Sequence, residues 1–454
     1  MNAMLTLELL KEEFANGTID TVLACQVDMQ GRLMGKRFHA DYFIKHAAEE
    51  THSCNYLLAT DLEMEPVKGY KSTSWEAGYG DYIMKPDMST LRRVPWLEGT
   101  ALVLCDVLDQ KYNPVPHSPR AILRKQIARL AEMGMEPMMA TELEFFMFDQ
   151  SYADACKAGY RDMQPASAYN EDYHIFQTTK EEGVIRAMRN GVYGAGITVE
   201  CSKGEASAGQ EELNIKYDKA LTTADQHSIV KNACKEIAWQ HGKAVTFMAK
   251  WHNDAAGSSS HVHQSLWSAD GKPLFLDESR RYGMSELMCH YLAGLLAYAD
   301  DVTCLLAPNI NSYKRFQEGT FAPTKAIWSL DNRTAGFRLC GANTKGIRIE
   351  CRIGGADLNP YLALAGQLAA GIAGMEQKLE LEDEFVGDAY NGANIRQVPN
   401  TLRAAVEKLN ESEMLRAAFG EEVVDHYVHA GRWEQREYDK RVTDWEVNRG
   451  FERG

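Results

Sequence analysis

The sequence lacks paired cysteines, an excess of basic residues and long apolar runs, and each absence argues against a class of protein. Its ten cysteines are scattered singly over 454 residues, without a C-x-x-C pair, which predicts reduced thiols and a cytoplasmic location. The net charge of −15 argues against a nucleic-acid or anionic-membrane partner, because both need clustered lysine and arginine. The most apolar stretch, residues 361–375, contains Gly and Gln and is shorter than a membrane span.

The common nucleotide-binding motifs are also missing. Residues 31–37 (GRLMGKR) have the wrong spacing for a P-loop and lack its Ser/Thr, and residues 191–196 (GVYGAG) do not form G-x-G-x-x-G. If a nucleotide binds, another architecture must hold it. The first helical pattern carries Glu8, Lys11, Glu12 and Glu13, so we expect no secretion signal at this end.

The order of strand-like and helical patterns predicts an α+β protein of two domains. Residues 21–27 and 100–105 are strand-like, whereas Ser118 and Pro119, after a proline-rich connector, predict a helix that ends at Gly134. We place a domain boundary near residue 111, before the proline-rich connector. This gives a small domain over residues 1–110 and a larger one over residues 111–454. Longer helical patterns at 222–242, 284–306 and 360–379 alternate with isolated strands, which favours α+β over a regular βαβ series.

Four strand-like segments carry polar groups on one face at a period of two. They cover residues 141–145, 209–215, 261–267 and 347–353. The polar faces contain Glu142, Glu144, Glu212, Asn214, His261, His263, Ser265, Arg348, Glu350 and Arg352. A single strand with this alternation is as often an ordinary surface strand, with its polar face in water, as part of a functional site. Four such strands together indicate a site.

Carboxylates one strand-repeat apart repel each other and are costly to bury unless cations neutralise them. Oxygen-rich sites with one imidazole suit Mg²⁺ or Mn²⁺, whereas zinc prefers more His or Cys. Arginines on a facing strand could then hold phosphate oxygens. The four segments therefore predict a site for paired divalent ions and a phosphorylated substrate.

Six motifs occur in a fixed order along the chain and carry a resemblance to a known family. They are E-x-E-F-F at 142–146, E-A-S-x-G-Q-x-E at 205–212, H-x-H-x-S-L at 261–266, N-S-Y-K-R at 311–315, N-R-x-x-x-x-R at 332–338 and R-I-E-x-R at 348–352. On these motifs the sequence resembles the glutamine synthetase family along nearly its whole length. The resemblance implies a β-grasp-like N-terminal domain and a catalytic domain with a curved antiparallel sheet flanked by helices. It also implies an ATP-dependent ligase that activates the side-chain carboxylate of glutamate.

Residue roles follow from the resemblance by position. One metal ion is expected on Glu144, Glu205 and Glu212, and a second on Glu142, His261 and Glu350. Glutamate contacts are expected from Gly257, Arg315 and Arg352. Nucleotide and phosphate contacts are expected from His263, Ser265, Arg333, Arg338, Lys345 and Arg348. We expect Arg333, Arg338 and His263 to act in catalysis by neutralising the transferred phosphoryl group.

The sequence departs from ammonium-using members of the family at the amine site. Phe321 stands six residues after Arg315, where those members carry a glutamate, and Ala256 replaces an asparagine. The segment 61–65 (DLEME) replaces a D-G-S-S run. Within that segment, Asp61 is the expected substitute for the ammonium-binding aspartate and the expected catalytic carboxylate, with Glu63 or Glu65 as equal alternatives. Losing anionic ligands and gaining an aromatic ring indicates the γ-glutamyl–amine ligase branch.

Two other interpretations remain open from the sequence. The protein could be a true glutamine synthetase whose flap acid is Glu318, or an inactive glutamate-sensing or scaffold protein. The resemblance further implies a homo-oligomer, a double ring of twelve, with each active site between the N-terminal domain of one subunit and the large domain of the next. Glutamate, a small amine and ATP are the expected substrates.

Overall fold

The structure is a computed structural model and describes residues 3–76, 78–320, 322–392 and 395–454. Its strands form two sheets. The first sheet contains β1 (Thr21–Val27), β2 (Leu33–His39), β3 (Thr51–Cys54), β4 (Asp81–Pro86), β5 (Arg92–Arg93) and β6 (Thr100–Leu108). The second contains β7 (Met135–Phe148), β8 (Val199–Gly204), β9 (Gln210–Ile215), β10 (Asp218–Lys219), β11 (Ala244–Thr246), β12 (Val262–Ser268), β13 (Trp328–Leu330), β14 (Phe337–Cys340) and β15 (Arg348–Cys351).

The helices lie before, between and after these strands in the sequence. They are α1 (Leu7–Ala15), α2 (Ala40–Tyr42), α3 (Pro119–Glu132), α4 (Tyr152–Lys157), α5 (Ile175–Thr179), α6 (Glu182–Gly194), α7 (Ala220–Gln240), α8 (Glu286–Ala297), α9 (Ala299–Leu306), α10 (Pro360–Gln377), α11 (Leu402–Glu411), α12 (Glu413–Phe419), α13 (Glu421–Asp439) and α14 (Asp444–Gly450). This architecture confirms the predicted α+β class. No helix in the described ranges is long and apolar enough to cross a membrane.

Both sheets are mixed in strand direction. The first has the order β2-β1-β6-β4-β3, in which β1 is parallel to β6, and the short β5 also pairs with β6. The second has the order β13-β14-β15-β12-β7-β9-β8, and β10 and β11 also pair with β7. The predicted boundary near residue 111 falls between β6 of the first sheet and α3. The division into two domains stays a prediction.

Two helix predictions can be compared with the structure. Helix α3 begins at Pro119 as predicted, although the Ser118 side chain makes no capping hydrogen bond. The single helix predicted over 284–306 is wrong. The chain breaks at Tyr298, whose backbone (φ −104°, ψ 16°) ends α8 and begins α9. Apolar residues continue across this break because both helices are buried around most of their circumference, so the sequence pattern alone does not reveal it.

Helix α10 is the centre of the larger core. Fifteen of its residues, Pro360 to Gly374, are buried without interruption, because it packs against α3, α8 and α9. At its crossing with α8 the backbones nearly touch, since a Cβ on Gly294 would lie 2.2 Å from the Ala370 carbonyl oxygen. This core supports the second sheet from the side opposite to its polar face, where Val262 and Ile349 join the same cluster.

A buried ion cluster links the two sheets. The Arg120 guanidinium on α3 donates to Asp87 (2.8 Å) and Asp106 (2.5 Å) from the first sheet and to Asp225 on α7 (2.9 Å). Tyr361 on α10 donates to the same Asp225 at 2.6 Å. Arg120 therefore fixes the small sheet against the helices behind the large one.

Candidate active site

Four neighbouring strands build the site, and they are the four that the alternation pattern selected. They lie side by side in the order β15-β12-β7-β9. The register places Glu144 opposite Glu212 and His263 opposite Glu350. Because side chains alternate along a strand, all of these groups extend from one face of the sheet. Residues that are far apart in the sequence therefore meet at one place.

The first cluster consists of Glu144, Glu205 and Glu212. One carboxylate oxygen of each lies within 4.8 Å of the others, and Glu144 and Glu212 are buried. The Ser259 amide donates to Glu144 Oε2 at 2.7 Å. Lys203 forms an ion pair with Glu205 and lies 3.7 Å from Glu212. Lys203 thus contacts two of the three carboxylates of the cluster.

The pKa values of the three carboxylates indicate that the first cluster needs a compensating positive charge. Burial, reinforced by the charge of Glu205, raises the pKa of Glu144 to about 8. Burial and the hydrogen bond with Glu205 raise the pKa of Glu212 to about 9. The pKa of Glu205 is lowered, because hydrogen bonding to Glu212 and the charge of Lys203 outweigh its burial. Without an added cation the cluster therefore keeps protons at neutral pH. Its oxygen-only donors fit a hard divalent ion that would replace them.

The second cluster consists of Glu142, His261 and Glu350, again within 4.8 Å of one another. His261 Nδ1 lies 2.7 Å from Glu142 Oε2 and 3.5 Å from Glu350 Oε1. Although burial opposes ionisation, the neighbouring His261 and Arg352 hold the pKa of Glu350 at about 2. Hydrogen bonds from His261 and His263 likewise overcome burial and lower the pKa of Glu142. This cluster stays ionised, and two carboxylates with one imidazole also fit Mg²⁺ or Mn²⁺.

Three of the predicted phosphate contacts adjoin the second cluster. Arg338 Nη1 donates to Glu350 at 2.9 Å, and His263 Nε2 lies 2.9 Å from Glu142 Oε1. Arg348 Nε donates to His263 Nδ1 at 3.2 Å. Arg338, His263 and Arg348 therefore lie next to the carboxylates of Glu142 and Glu350. A polyanion bound there would meet positive charge on one side and metal ligands on the other.

The remaining predicted nucleotide contacts lie further from the clusters. Arg333 and Lys345 are exposed on loops, and neither makes an ion pair within the described ranges. Ser265 follows His263 on the same face of β12, and its hydroxyl accepts a hydrogen bond from the Trp267 indole at 3.0 Å. The ATP contacts of these three residues stay predictions.

The three predicted glutamate-binding residues lie together, next to Glu350 of the second cluster. Arg352 is buried and donates to Glu350. Arg315 is 1% exposed, and it donates to the Ile353 carbonyl and to Ser259 Oγ, both at 2.8 Å. A Cβ on Gly257 would lie 2.4 Å from Arg315 Cγ, so this position needs glycine. Arg315 therefore already has protein partners, and its direct contact with a substrate stays a prediction.

Asp61 lies apart from the metal-ligand clusters within one chain. It lines a cavity of about 1070 Å³ together with Trp433 and Glu434, and none of the six predicted metal ligands lines that cavity. Arg32 holds the segment by donating to the Leu62 carbonyl at 2.7 Å. Phe321, the other residue predicted at the amine site, lies outside the described residues.

Sequence reasoning missed three residues of the site. Lys203 lies two positions before Glu205, and this spacing could have indicated that it belongs to the same face. Asp331 accepts a hydrogen bond from Arg338 Nε at 3.0 Å and directly precedes the N-R-x-x-x-x-R motif. Ser259 donates to Glu144 through its backbone amide, a contact that any residue except proline could make, so the sequence carries no signal for it.

The comparisons with known proteins agree with this geometry. Residues 116–450 match the catalytic domain of glutamine synthetase. The chain belongs to the glutamine synthetase family. Relatives in this family include a gamma-glutamylethanolamide synthetase, GlnA4, of Streptomyces coelicolor, which is 48% identical over 97% of this chain and 94% of its own length. A glutamate–isopropylamine ligase of a Pseudomonas species is 38% identical, over 95% of each chain.

A solved member has the same fold over its full length. The structure described as a GmaS/ADP complex superimposes with a TM-score of 0.86 and 26% sequence identity, covering 99% of each chain. The resemblance predicted from the six motifs is therefore confirmed. The family is one of ligases, so the protein is an enzyme with a ligase catalytic domain.

Proposed function

We propose that this protein is an ATP-dependent ligase that joins the γ-carboxylate of glutamate to a small alkyl or hydroxyalkyl amine, with ethanolamine as the first candidate. One observation carries the choice of amine: the 48% identity to a gamma-glutamylethanolamide synthetase extends over nearly the whole chain. The second relative acts on isopropylamine according to its name. Phe321 supports the same choice, because an aromatic side chain favours an amine that carries carbon.

The reaction needs two steps, because a carboxylate does not react with amines until it is activated. The γ-phosphoryl group of ATP passes to the glutamate γ-carboxylate and forms γ-glutamyl phosphate and ADP. The amine nitrogen then attacks the carbonyl carbon, the C–N bond forms, and the bond to phosphate breaks. Arg338 and Arg348 would stabilise the transferred phosphoryl charge. His263 joins Arg348 to Glu142 and would keep this arginine in place.

We place divalent ions, Mg²⁺ or Mn²⁺, on the two carboxylate clusters. Glu144, Glu205 and Glu212 would hold one ion, and Glu142, His261 and Glu350 the other. When bound, such ions neutralise charge on the phosphoryl oxygens. The chain itself supplies the donors, keeps them at fixed spacing on paired strands, and orients Glu144 through the Ser259 amide.

The preference for a carbon-bearing amine can be estimated from burial. Each buried CH₂ contributes about 0.8 kcal/mol. A two-carbon amine against the Phe321 ring would gain roughly tenfold over ammonium from that contact. An alkylammonium, whose pKa is near that of lysine, about 10.4, must also lose a proton before it attacks. Asp61 is the residue we assign to that step.

The deciding experiment is a panel of ethanolamine, isopropylamine, ethylamine, methylamine and ammonium, read by ADP release and by the mass of the product. We expect the highest kcat/KM for a two- or three-carbon amine. Phe321→Glu should raise relative ammonium use, whereas the matched control Phe321→Leu keeps an apolar side chain and should not.

Two results would contradict the proposal in different ways. If ammonium were the best substrate and Glu318→Gln reduced its use, the protein would be an ordinary glutamine synthetase. If no amine supported Mg²⁺-dependent ADP release with glutamate, the interpretation as a glutamate-sensing or scaffold protein would be favoured.

We further propose that the enzyme is a homo-oligomer, a double ring of twelve, whose sites are shared between neighbours. The separation of Asp61 from the clusters within one chain supports this. Mixing two inactive variants, Asp61→Asn and Glu144→Ala, should restore part of the activity, because some sites would combine intact residues from two chains. A monomer in light scattering, or no recovery on mixing, would contradict shared sites. The ten free cysteines support a cytoplasmic location.

A further inference from the structure

Three buried carboxylates converge on the far side of β9 from the active site. Glu171, Glu181 and Glu211 are 0%, 6% and 1% exposed, and one oxygen of each lies within 4.8 Å of the others. Glu211 is paired with Phe145 and precedes Glu212 on the strand, so the two glutamates extend from opposite faces. Glu211 therefore lies on the apolar face, and this group is separate from the two clusters described above.

Most oxygen atoms of this group receive no hydrogen bond from a donor group. Both carboxylate oxygens of Glu181, Oε1 of Glu211 and Oε2 of Glu171 are buried without a donor, and the Glu181 and Glu211 carboxylates lie within hydrogen-bonding distance of each other. The Ser167 hydroxyl donates to the remaining oxygen of Glu171 at 2.7 Å. Within the described ranges, no lysine or arginine forms an ion pair with any of the three glutamates.

The basic side chains in the neighbourhood contact other groups, and Lys180, which directly precedes Glu181, donates to the Gln177 side chain at 2.7 Å. Arg189 on α6 donates to Glu182 at 3.0 Å and to Ser202 at 2.9 Å. Lys243 is paired with Asp149. The three carboxylates therefore have no lysine or arginine ion-pair partner among the described residues. Burying even one unpaired carboxylate is costly.

The arrangement favours a metal ion over protons alone as the compensating charge. A proton shared between Glu181 and Glu211, which lie at hydrogen-bonding distance, would join only two carboxylates. Here three converge from three separate segments: the loop before α5, the residue preceding α6, and β9. The glutamates and the Ser167 hydroxyl offer oxygen donors only, which hard divalent cations prefer. Glu181 would add a third carboxylate oxygen to those of Glu171 and Glu211, so that one ion could bind all three residues.

We propose that Glu171, Glu181 and Glu211 form a third divalent-cation site, of the Ca²⁺ or Mg²⁺ class, that is structural and distinct from the catalytic ions. The ion would join the start of α6 and the loop before α5 to β9, the strand whose opposite face carries Glu212. The inference is independent of which amine the enzyme uses, because it involves none of the proposed substrate contacts.

The test counts ions on the full-length protein. Wild type and Glu181→Gln are stripped with chelator, equilibrated with Ca²⁺ alone, and analysed by mass spectrometry of bound metal and by thermal unfolding. We expect Glu181→Gln to hold one ion per chain fewer than wild type and to lose part of the Ca²⁺-dependent rise in Tm. Glu171→Gln, made in parallel, should lose the same ion, so the result does not depend on one variant folding.

Glu144→Gln is the matched control, because it removes a carboxylate from the first catalytic cluster instead. The ion count of the double variant Glu144→Gln/Glu181→Gln should then fall below that of Glu144→Gln alone. Equal ion counts for wild type, Glu181→Gln and Glu171→Gln, with unchanged Ca²⁺-dependent stabilisation, would overturn the proposal. That result would show that shared protons neutralise the group.

Discussion

Metal binding at the first cluster should release protons, and the structure determines how the affinity depends on pH. Glu144 and Glu212, with pKa values of about 8 and about 9, are largely protonated at pH 7 in the metal-free protein. A divalent cation requires carboxylates as ligands, so it must displace those protons. The second cluster behaves differently, because the pKa values of Glu142 and Glu350 are lowered and its carboxylates are ionised before any ion binds.

The size of the effect follows from linkage. The three carboxylates of the first cluster titrate as a unit that releases between about one and two protons on binding, so affinity should rise roughly 10- to 100-fold per pH unit between pH 6 and 8. The stability of the metal-free protein changes in the opposite direction. Because the folded-state pKa values of Glu144 and Glu212 are raised, their contribution is fully present below about pH 4.5 and is lost as pH rises towards 8 or 9.

The assay is titration calorimetry with Mg²⁺ in buffers of different ionisation enthalpy, which reports the number of protons released. The difference in Tm between Mg²⁺ and chelator should also grow from pH 6 to pH 8. In Glu144→Gln one titrating group is gone, so fewer protons should be released. An affinity of the wild type that did not change with pH, together with no proton release, would refute the assignment of buried protonated carboxylates as the metal ligands.

Three further predictions concern stability and catalysis. Arg120→Ala leaves the buried Asp225 without its ion-pair partner and should lower the free energy of unfolding by about 3–5 kcal/mol in denaturant titration. Arg124→Ala, which removes a more exposed partner of Asp87 and Asp106, should cost about 1 kcal/mol or less. Arg338→Ala should reduce kcat by roughly 10²–10³, with partial recovery in Arg338→Lys. Gly257→Ala should raise the KM for glutamate, because the added Cβ would displace Arg315.

Each of these has a result that would count against it. Equal losses of stability in the two α3 variants would show that burial of the ion cluster is unimportant. Full activity of Arg338→Ala would remove this arginine from the phosphoryl site. An unchanged KM in Gly257→Ala would mean that the position of Arg315 does not affect glutamate binding.

The chemistry-bearing strands were predictable from the sequence because alternation is a local property. In β7, a side chain at Glu142 and one at Glu144 must share a face whatever the strand pairs with. The order of strand-like and helical patterns indicated the α+β class, and the six motifs added the family. The start of α3 was equally local, since proline at the first helical position requires no tertiary contact.

Strand order and register, by contrast, are decided by pairings between distant segments. Only the fold brings Glu144 opposite Glu212, places the Ser259 amide on Glu144, and puts Lys203 beside Glu205. The break at Tyr298 and the separation of Asp61 from the clusters also depend on how helices and sheets pack. Glu211 shows the difference most clearly: the sequence determines that it faces away from Glu212, but only the tertiary structure places two more buried carboxylates beside it, with no ion pair to a lysine or arginine among the described residues.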